Sequence, residues 1–201
     1  MRFAVRHLHR ADPVLGAIIK SCGPYRIQYR EPNFDTLVRS IVYQQLSGKA
    51  AATIYARLEA AAGGRGVTAA SVLRLTPERL RELGLSTAKT ASVIDIAEKS
   101  KSRTLQFSKL ERMSDGDVIE HLTRARGVGV WTAQMFLIFA LRRPDVFPAG
   151  DLGVRNAMMR AYGLEAPPTP PEMTEMARPW QPYRSVASWY LWRSLDGPAA
   201  L

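Results

Sequence analysis

Two glycines bracket a single apolar residue in the segment Leu122-Thr-Arg-Ala-Arg-Gly-Val-Gly-Val-Trp-Thr-Ala133. Gly127 and Gly129 carry no Cβ, so the backbone there can turn tightly and come close to a ligand. Main-chain N–H groups at the start of a following helix lack intrahelical acceptors and form a natural anion site. Val128 between them reads as the residue that packs inward and ties two helices together. Arg124 and Arg126 flank the turn and can add charge contacts to phosphate, and Thr132, just after it, belongs to the same phosphate-facing hairpin. The chemistry that fits is a helix–hairpin–helix grip on a DNA backbone, indifferent to sequence. The plainer alternative is a helix–helix turn whose glycines serve packing. A second candidate, Asp151, stands twenty residues after Trp131 and just before another helical stretch. Taken locally it reads as a helix N-cap. Asp145, in the setting RRPDVF, reads as a solvated loop acid.

Helices must position these groups. Asn33 and Asp35 precede apolar residues at Leu37, Val38, Ile41 and Val42, which is helical spacing after a cap. Ala50 to Leu58 forms the next helix, closed by Gly63-Gly64. Thr68 opens a short helix. Thr76-Pro77-Glu78 supplies a cap, a first-turn proline and an acid at the positive helix end. Ala88 to Lys99 follows, and Ser114-Asp115 caps a helix carrying Val118, Ile119 and Leu122. Trp131 to Leu141 is apolar nearly all round and predicts a buried core helix. Val154 to Tyr162 follows Asp151, and Tyr183 to Leu195 closes the fold. Alternating patterns at Val5–Leu8 and Ile27–Tyr29 are too short to build a sheet.

Composition narrows the class. The 201 residues carry a net charge of +10, and the whole surplus lies in residues 1–150. A polyanion would meet that part first, although a basic surface can also serve solubility alone. With 46% hydrophobic residues the chain can bury a core. No apolar run approaches the roughly 18 residues of a membrane span, and no secretory segment is expected at the start. The single cysteine, Cys22, excludes an internal disulfide and a four-cysteine iron–sulfur site, and it fits a reducing compartment. His7 and His9 lack an evident third metal ligand.

Five ordered stretches resemble the helix–hairpin–helix DNA glycosylase superfamily, most closely its 3-methyladenine DNA glycosylase II, alkylation-repair branch. They are Leu37–Ser47 (LVRSIVYQQLS), Leu83–Lys89 (LGLSTAK), Gly127–Ala133 (GVGVWTA), Phe147–Gly153 (FPAGDLG) and Trp180–Trp192. The resemblance covers about residues 33–195. It implies an all-α fold of two helical lobes with the active site in the cleft between them. The expected division is 33–143 for the lobe carrying the hairpin, and 1–32 plus 144–201 for the lobe carrying the aspartate and aromatic pocket. Members usually have proline before the first hairpin glycine, where this chain has Arg126.

The resemblance assigns roles. Asp151 becomes the catalytic carboxylate, beside its capping role. An anion there stabilises the positive charge that develops on the sugar as an N-glycosidic bond breaks. A base such as N3-methyladenine is already cationic and leaves readily, so one carboxylate suffices. Trp131 and Trp192 form pocket walls with Met135 beside them, since a flipped base needs stacking faces and indoles favour a cationic one. Core filling is the alternative for the tryptophans. Gln45, with Leu46 as its neighbour, holds the wedge position that fills the gap left by the flipped nucleotide. Leu46 reads equally well as core. Trp131 occupies the place where strand-nicking relatives carry a Schiff-base lysine, so hydrolysis without lyase activity is expected.

The expected function is therefore a monofunctional glycosylase for alkylated bases in double-stranded DNA, acting in base excision repair. A non-catalytic DNA-binding module and a glycosylase for oxidised or deaminated bases remain as alternatives. No cofactor is expected. The resemblance also admits a monovalent cation, Na+ or K+, at the carbonyls of Thr123, Ala125 and Gly127. The chain is expected to act as a monomer on damaged duplex DNA in the cytoplasm, associated with the nucleoid if bacterial, and away from membranes.

Overall fold

A computed structural model describes residues 1–63 and 66–195. Gly64, expected at a helix end, and residues 196–201 lie outside the described residues. The described chain is helical throughout, without strands, as its caps and apolar spacing predict. It divides into two compact units.

The central unit is Arg30–Leu141. It holds α3 (Phe34–Tyr43), α4 (Gly48–Ala61), α5 (Ala69–Val72), α6 (Pro77–Glu82), α7 (Thr87–Lys101), a 3-10 turn at Phe107–Arg112, α8 (Asp115–Thr123) and α9 (Val130–Phe139). The expected caps are in place. Asn33, Thr76 and Ser114 each accept a main-chain N–H from three residues on, and Ser86, within the LGLS turn, does the same for α7. Helix α7 is the spine against which α3, α5 and α6 pack, while α8 lies on α9. Leu37, Val38, Ile41, Val93, Ile96, Leu122 and Leu137 are buried within this unit.

The second unit joins Met1–Tyr29 to Arg142 onward. It holds α1 (Arg2–Ala11), α2 (Pro13–Cys22), α10 (Leu152–Ala161), α11 (Pro170–Met176), a 3-10 turn at Arg178–Trp180 and α12 (Arg184–Leu195). Val5–Leu8 lies in α1, whose buried residues Ala4 and Leu8 are spaced i, i+4; the apparent alternation was one side of a helix. Leu8, Leu15, Val154, Met158, Met173, Trp180, Tyr190 and Leu191 share one core. Trp180 is wholly buried, so the core-filling reading holds for it.

A buried carboxylate organises this second core. Asp12 separates α1 from α2, and its Oδ1 accepts the Val14 and Leu15 N–H groups at 2.9 and 3.0 Å. Its Oδ2 accepts the Trp180 indole N–H at 2.8 Å and the Tyr162 hydroxyl. Burial alone would raise the Asp12 carboxyl; the hydrogen bonds from Tyr162, Leu15, Trp180 and Val14 outweigh it and hold the group below the usual carboxylate range.

Asp12→Ala strands buried donors and removes a cap, and should cost about 3 kcal/mol in urea unfolding. A carboxyl lowered in the folded state contributes stability above its unfolded pKa of about 3.9, and loses it as pH falls through the folded value. Asp12→Asn should therefore flatten the acid limb of stability below about pH 4. Parallel acid limbs for wild type and variant would contradict this role.

Candidate active site

The hairpin lies in the central unit, between α8 and α9. Val128 N donates to Ala125 O at 3.2 Å, closing a four-residue turn in which Gly127 has φ +78°. That is the signature of a type II turn, whose third residue requires positive φ. Space makes the same demand, since a Cβ on Gly127 would lie 2.4 Å from Ser92 Oγ of α7. Gly129 differs. Its φ is −89°, and a Cβ there would meet nothing within 4 Å. The chain itself needs Gly127, whereas Gly129 leaves room for something outside it. Val128 is buried, as its inward packing predicts.

Around the turn, Arg124, Arg126, Gly127 and Gly129 are exposed. Arg124 pairs with Glu120 at 2.9 Å in an exposed i, i+4 contact, which is weak enough to exchange for a phosphate. Thr132, expected beside a phosphate, is instead 3% exposed. Its hydroxyl accepts Gln44 Nε2 at 3.1 Å, and the same amide donates to Gly127 O at 3.1 Å. Its side chain braces the hairpin from inside. Helix α9 is likewise not wholly a core helix. Val130 and Trp131, in its first turn, are 55% and 43% exposed.

The QQLS segment is the turn between α3 and α4. Gln45 has φ +55°, a left-handed conformation that side chains other than glycine adopt at some cost. Lys89 of α7 reaches across to hold this turn, donating to Val42 O and Gln44 O at 2.7 Å each. Its partial burial lowers the ammonium's pKa. Gln45 and Leu46 stand exposed at the tip, and Leu46, at 40% exposure, is not core. A cavity of about 670 Å³ opens beside the turn, lined among others by Arg39, Tyr43, Gln45, Trp131, Met135 and Phe139. The structure thus brings the expected wedge residue and two expected pocket residues around one concavity of the central unit. Arg39 was not foreseen. Its guanidinium stacks 4.1 Å from the Tyr43 ring centroid and 4.8 Å from that of Tyr55.

The carboxylate lies in the second unit. Asp151 is 7% exposed and caps α10, its Oδ1 accepting Val154 N at 2.8 Å. The same oxygen accepts the Trp192 indole N–H at 2.8 Å. A Cβ on Gly153 would stand 3.0 Å from Trp192 Cδ1 and 3.1 Å from Asp151 Oδ1, so the glycine is what lets indole and carboxylate meet. The capping role and the Trp192 contact coexist at one oxygen. Asp145 is not a solvated acid. Its Oδ1 and Oδ2 take Arg184 Nε and Nη2 at 2.8 and 2.9 Å, with both side chains largely covered. Among the described residues no group of three or more His, Cys, Asp or Glu side chains could hold a metal ion.

Gly153→Ala should push the indole off Asp151 while leaving the fold intact. The Trp192 indole N–H resonance should then move upfield and its exchange with solvent quicken. An unaltered resonance would show that the close approach does not depend on the glycine.

Residues 38–182 match the family described as HhH-GPD superfamily base excision DNA repair protein. The chain is 34% identical over 194 residues to DNA-3-methyladenine glycosylase 1 of Schizosaccharomyces pombe, covering 94% of this chain and 85% of that relative. It is 36% identical over 169 residues to YfjP of Bacillus subtilis; that match takes in 81% of this chain and 59% of the longer relative. The solved Schizosaccharomyces pombe 3-methyladenine DNA glycosylase Mag1, in complex with abasic DNA, matches with a TM-score of 0.87 at 33% identity over 96% of each chain. With a buried capping aspartate, a glycine hairpin and relatives of this kind, the chain belongs to the HhH-GPD superfamily of base excision DNA repair proteins.

Proposed function

We propose that this chain is a monofunctional DNA glycosylase that hydrolyses the N-glycosidic bond of alkylated bases, of the 3-methyladenine type, in double-stranded DNA. The observation that carries the reading is the Asp151 carboxylate, oriented through one oxygen by Val154 N and Trp192 Nε1. Names of the relatives support the substrate class, since the Schizosaccharomyces pombe relative is called a DNA-3-methyladenine glycosylase.

The reaction follows from these groups. The hairpin's main-chain N–H groups and Arg124 hold backbone phosphates, with Gly129 permitting close approach. Gln45, on its left-handed turn, fills the space vacated as the nucleotide swings out, with Leu46 beside it. The extruded base meets the aromatic walls of the cavity, Trp131 and Tyr43, with Met135 as an adaptable neighbour. As the C1′–N bond lengthens, positive charge builds on the sugar and Asp151 stabilises it. Water then adds to C1′, its proton passing to Asp151 or solvent, and the base leaves as a neutral molecule. Asp145, tied to Arg184, is not offered as a second acid. A single carboxylate suits a leaving base that already carries charge and needs no protonation. Trp131 offers no amine for a Schiff base, so the product is an intact strand with an abasic site.

The carbonyls of Thr123, Ala125 and Gly127 are hard oxygen donors suited to Na+ or K+. Ala125 O and Gly127 O already accept one N–H each, and a carbonyl oxygen has a second lone pair to give. A cation held there would stiffen the turn and add positive charge beside a phosphate.

Incubating methylated duplex with wild type and with Asp151→Asn, followed by chromatography of released bases, tests the reading. Wild type should release methylated purines without nicking, and Asp151→Asn should lose release by about a hundredfold or more while still binding duplex. Binding without release by both proteins would favour a non-catalytic module, and nicking by wild type would overturn the Trp131 argument. Arg124→Ala should reduce the slope of log affinity against log salt by about 0.9, one phosphate contact. An unchanged slope would remove Arg124 from the interface.

A further inference from the structure

In the Ala125–Val128 turn, Arg126 occupies the second position. Proline is favoured there in type II turns because its ring presets φ. Arginine presets nothing, so this turn must be held by other means. The N–H of the second residue takes no part in the turn's own hydrogen bond, and a proline would not have one. Here that N–H donates to Asp95 Oδ2 at 2.7 Å, a contact spanning 31 residues.

Asp95 sits on α7, three residues after Ser92, whose Oγ abuts Gly127. Both residues therefore lie on one face of the helix, against the turn. The charge of Asp95 is also offset. Lys99, one turn further on, donates to Oδ1 and Oδ2 at 2.7 and 2.8 Å. An uncompensated carboxylate beside a phosphate-binding turn would repel its ligand. The ion pair leaves the acceptor in place while cancelling the repulsion. Burial would raise the Asp95 carboxyl, but the Lys99 and Arg126 hydrogen bonds together hold it below the usual range.

We propose that Asp95 is a positioning residue for DNA binding: through the Arg126 N–H it fixes the hairpin in the conformation that grips phosphate, doing from outside the turn what a proline ring would do from within. This rests on the reading of the hairpin as a DNA grip. It makes Asp95, Lys99 and Arg126 N one device, in which the lysine serves the aspartate and the aspartate serves the backbone. The Arg126 side chain stays exposed and available to DNA.

The test uses the full chain and duplex carrying a tetrahydrofuran abasic analogue. Amide hydrogen exchange at Arg126 and duplex affinity are measured for wild type, Asp95→Ala and Asp95→Asn. Two double variants, Asp95→Ala with Arg126→Pro and Asp95→Ala with Arg126→Ala, complete the set. Asp95→Ala should speed Arg126 exchange and weaken binding, each by about tenfold, with Asp95→Asn between it and wild type. The proline double variant should bind about fivefold more tightly than the alanine one, although both lack the Arg126 charge. Equal affinity of the two double variants would overturn the proposal, because the carboxylate would then act on something other than the turn. So would wild-type exchange and affinity in Asp95→Ala. Should Asp95→Ala fail to fold, the exchange rate and affinity of Asp95→Asn decide, and wild-type values for both overturn the proposal. If wild type does not bind duplex, the DNA reading fails, while Arg126 exchange still reports whether Asp95 holds the turn.

Discussion

A single carboxylate oxygen, Asp151 Oδ1, accepts both the first-turn N–H of α10 and the indole N–H of Trp192. Much of the second unit serves that meeting. Asp151 must cap α10, α12 must present Trp192 to it, and the position between them in space must be Gly153. The two helices pack closely, and their shared core runs through Val154, Met158, Tyr190 and Leu191. The cap bond and indole bond fix the carboxylate's direction before any substrate arrives. In the proposed reaction, stabilisation by a preset anion costs no reorganisation as charge develops.

The central unit applies the same strategy to the hairpin and the QQLS turn. Each is an irregular backbone segment pinned by a side chain from α7 or from the other turn. Lys89 holds the carbonyls of Val42 and Gln44; Asp95 holds the N–H of Arg126; Gln44 bridges Gly127 O to Thr132. Helix α7 thus fixes two segments that the proposed function sends to DNA. It can do so because Lys89, Ser92 and Asp95 recur every three residues and wind part-way round the helix, reaching both turns, while Val93 and Ile96 fill the core.

Residues that act through local patterns were legible from the chain alone. Caps at Asn33, Thr76, Ser114 and Asp151 announce themselves by type and position, and the apolar period marks each helix behind them. The glycine pair marked the hairpin, although only the structure separates Gly127, needed by the chain, from Gly129, which is not. What stayed hidden were the partners in most polar contacts between distant segments. Asp12 caps α2, and it also gathers Tyr162 and Trp180 from the far end of the sequence. Asp145 has a loop acid's surroundings in sequence, and its partner Arg184 lies 39 residues on. Lys89 and Asp95 look like solvated helix charges, because a side chain that bonds a remote backbone leaves no period behind. Thr132 stands beside the glycines that mark the hairpin, and its bond from Gln44 holds it inward.

The central claim is that Asp151 stabilises positive charge on the sugar. It is tested most directly by comparing affinity for two duplexes, one with a cationic pyrrolidine in place of the target sugar and one with the neutral tetrahydrofuran analogue. Wild type should prefer the cationic duplex by about a hundredfold or more, as expected of a transition-state mimic. Asp151→Asn should lose that preference while binding the neutral duplex about as well as wild type. Equal preference in wild type and Asp151→Asn would contradict the account.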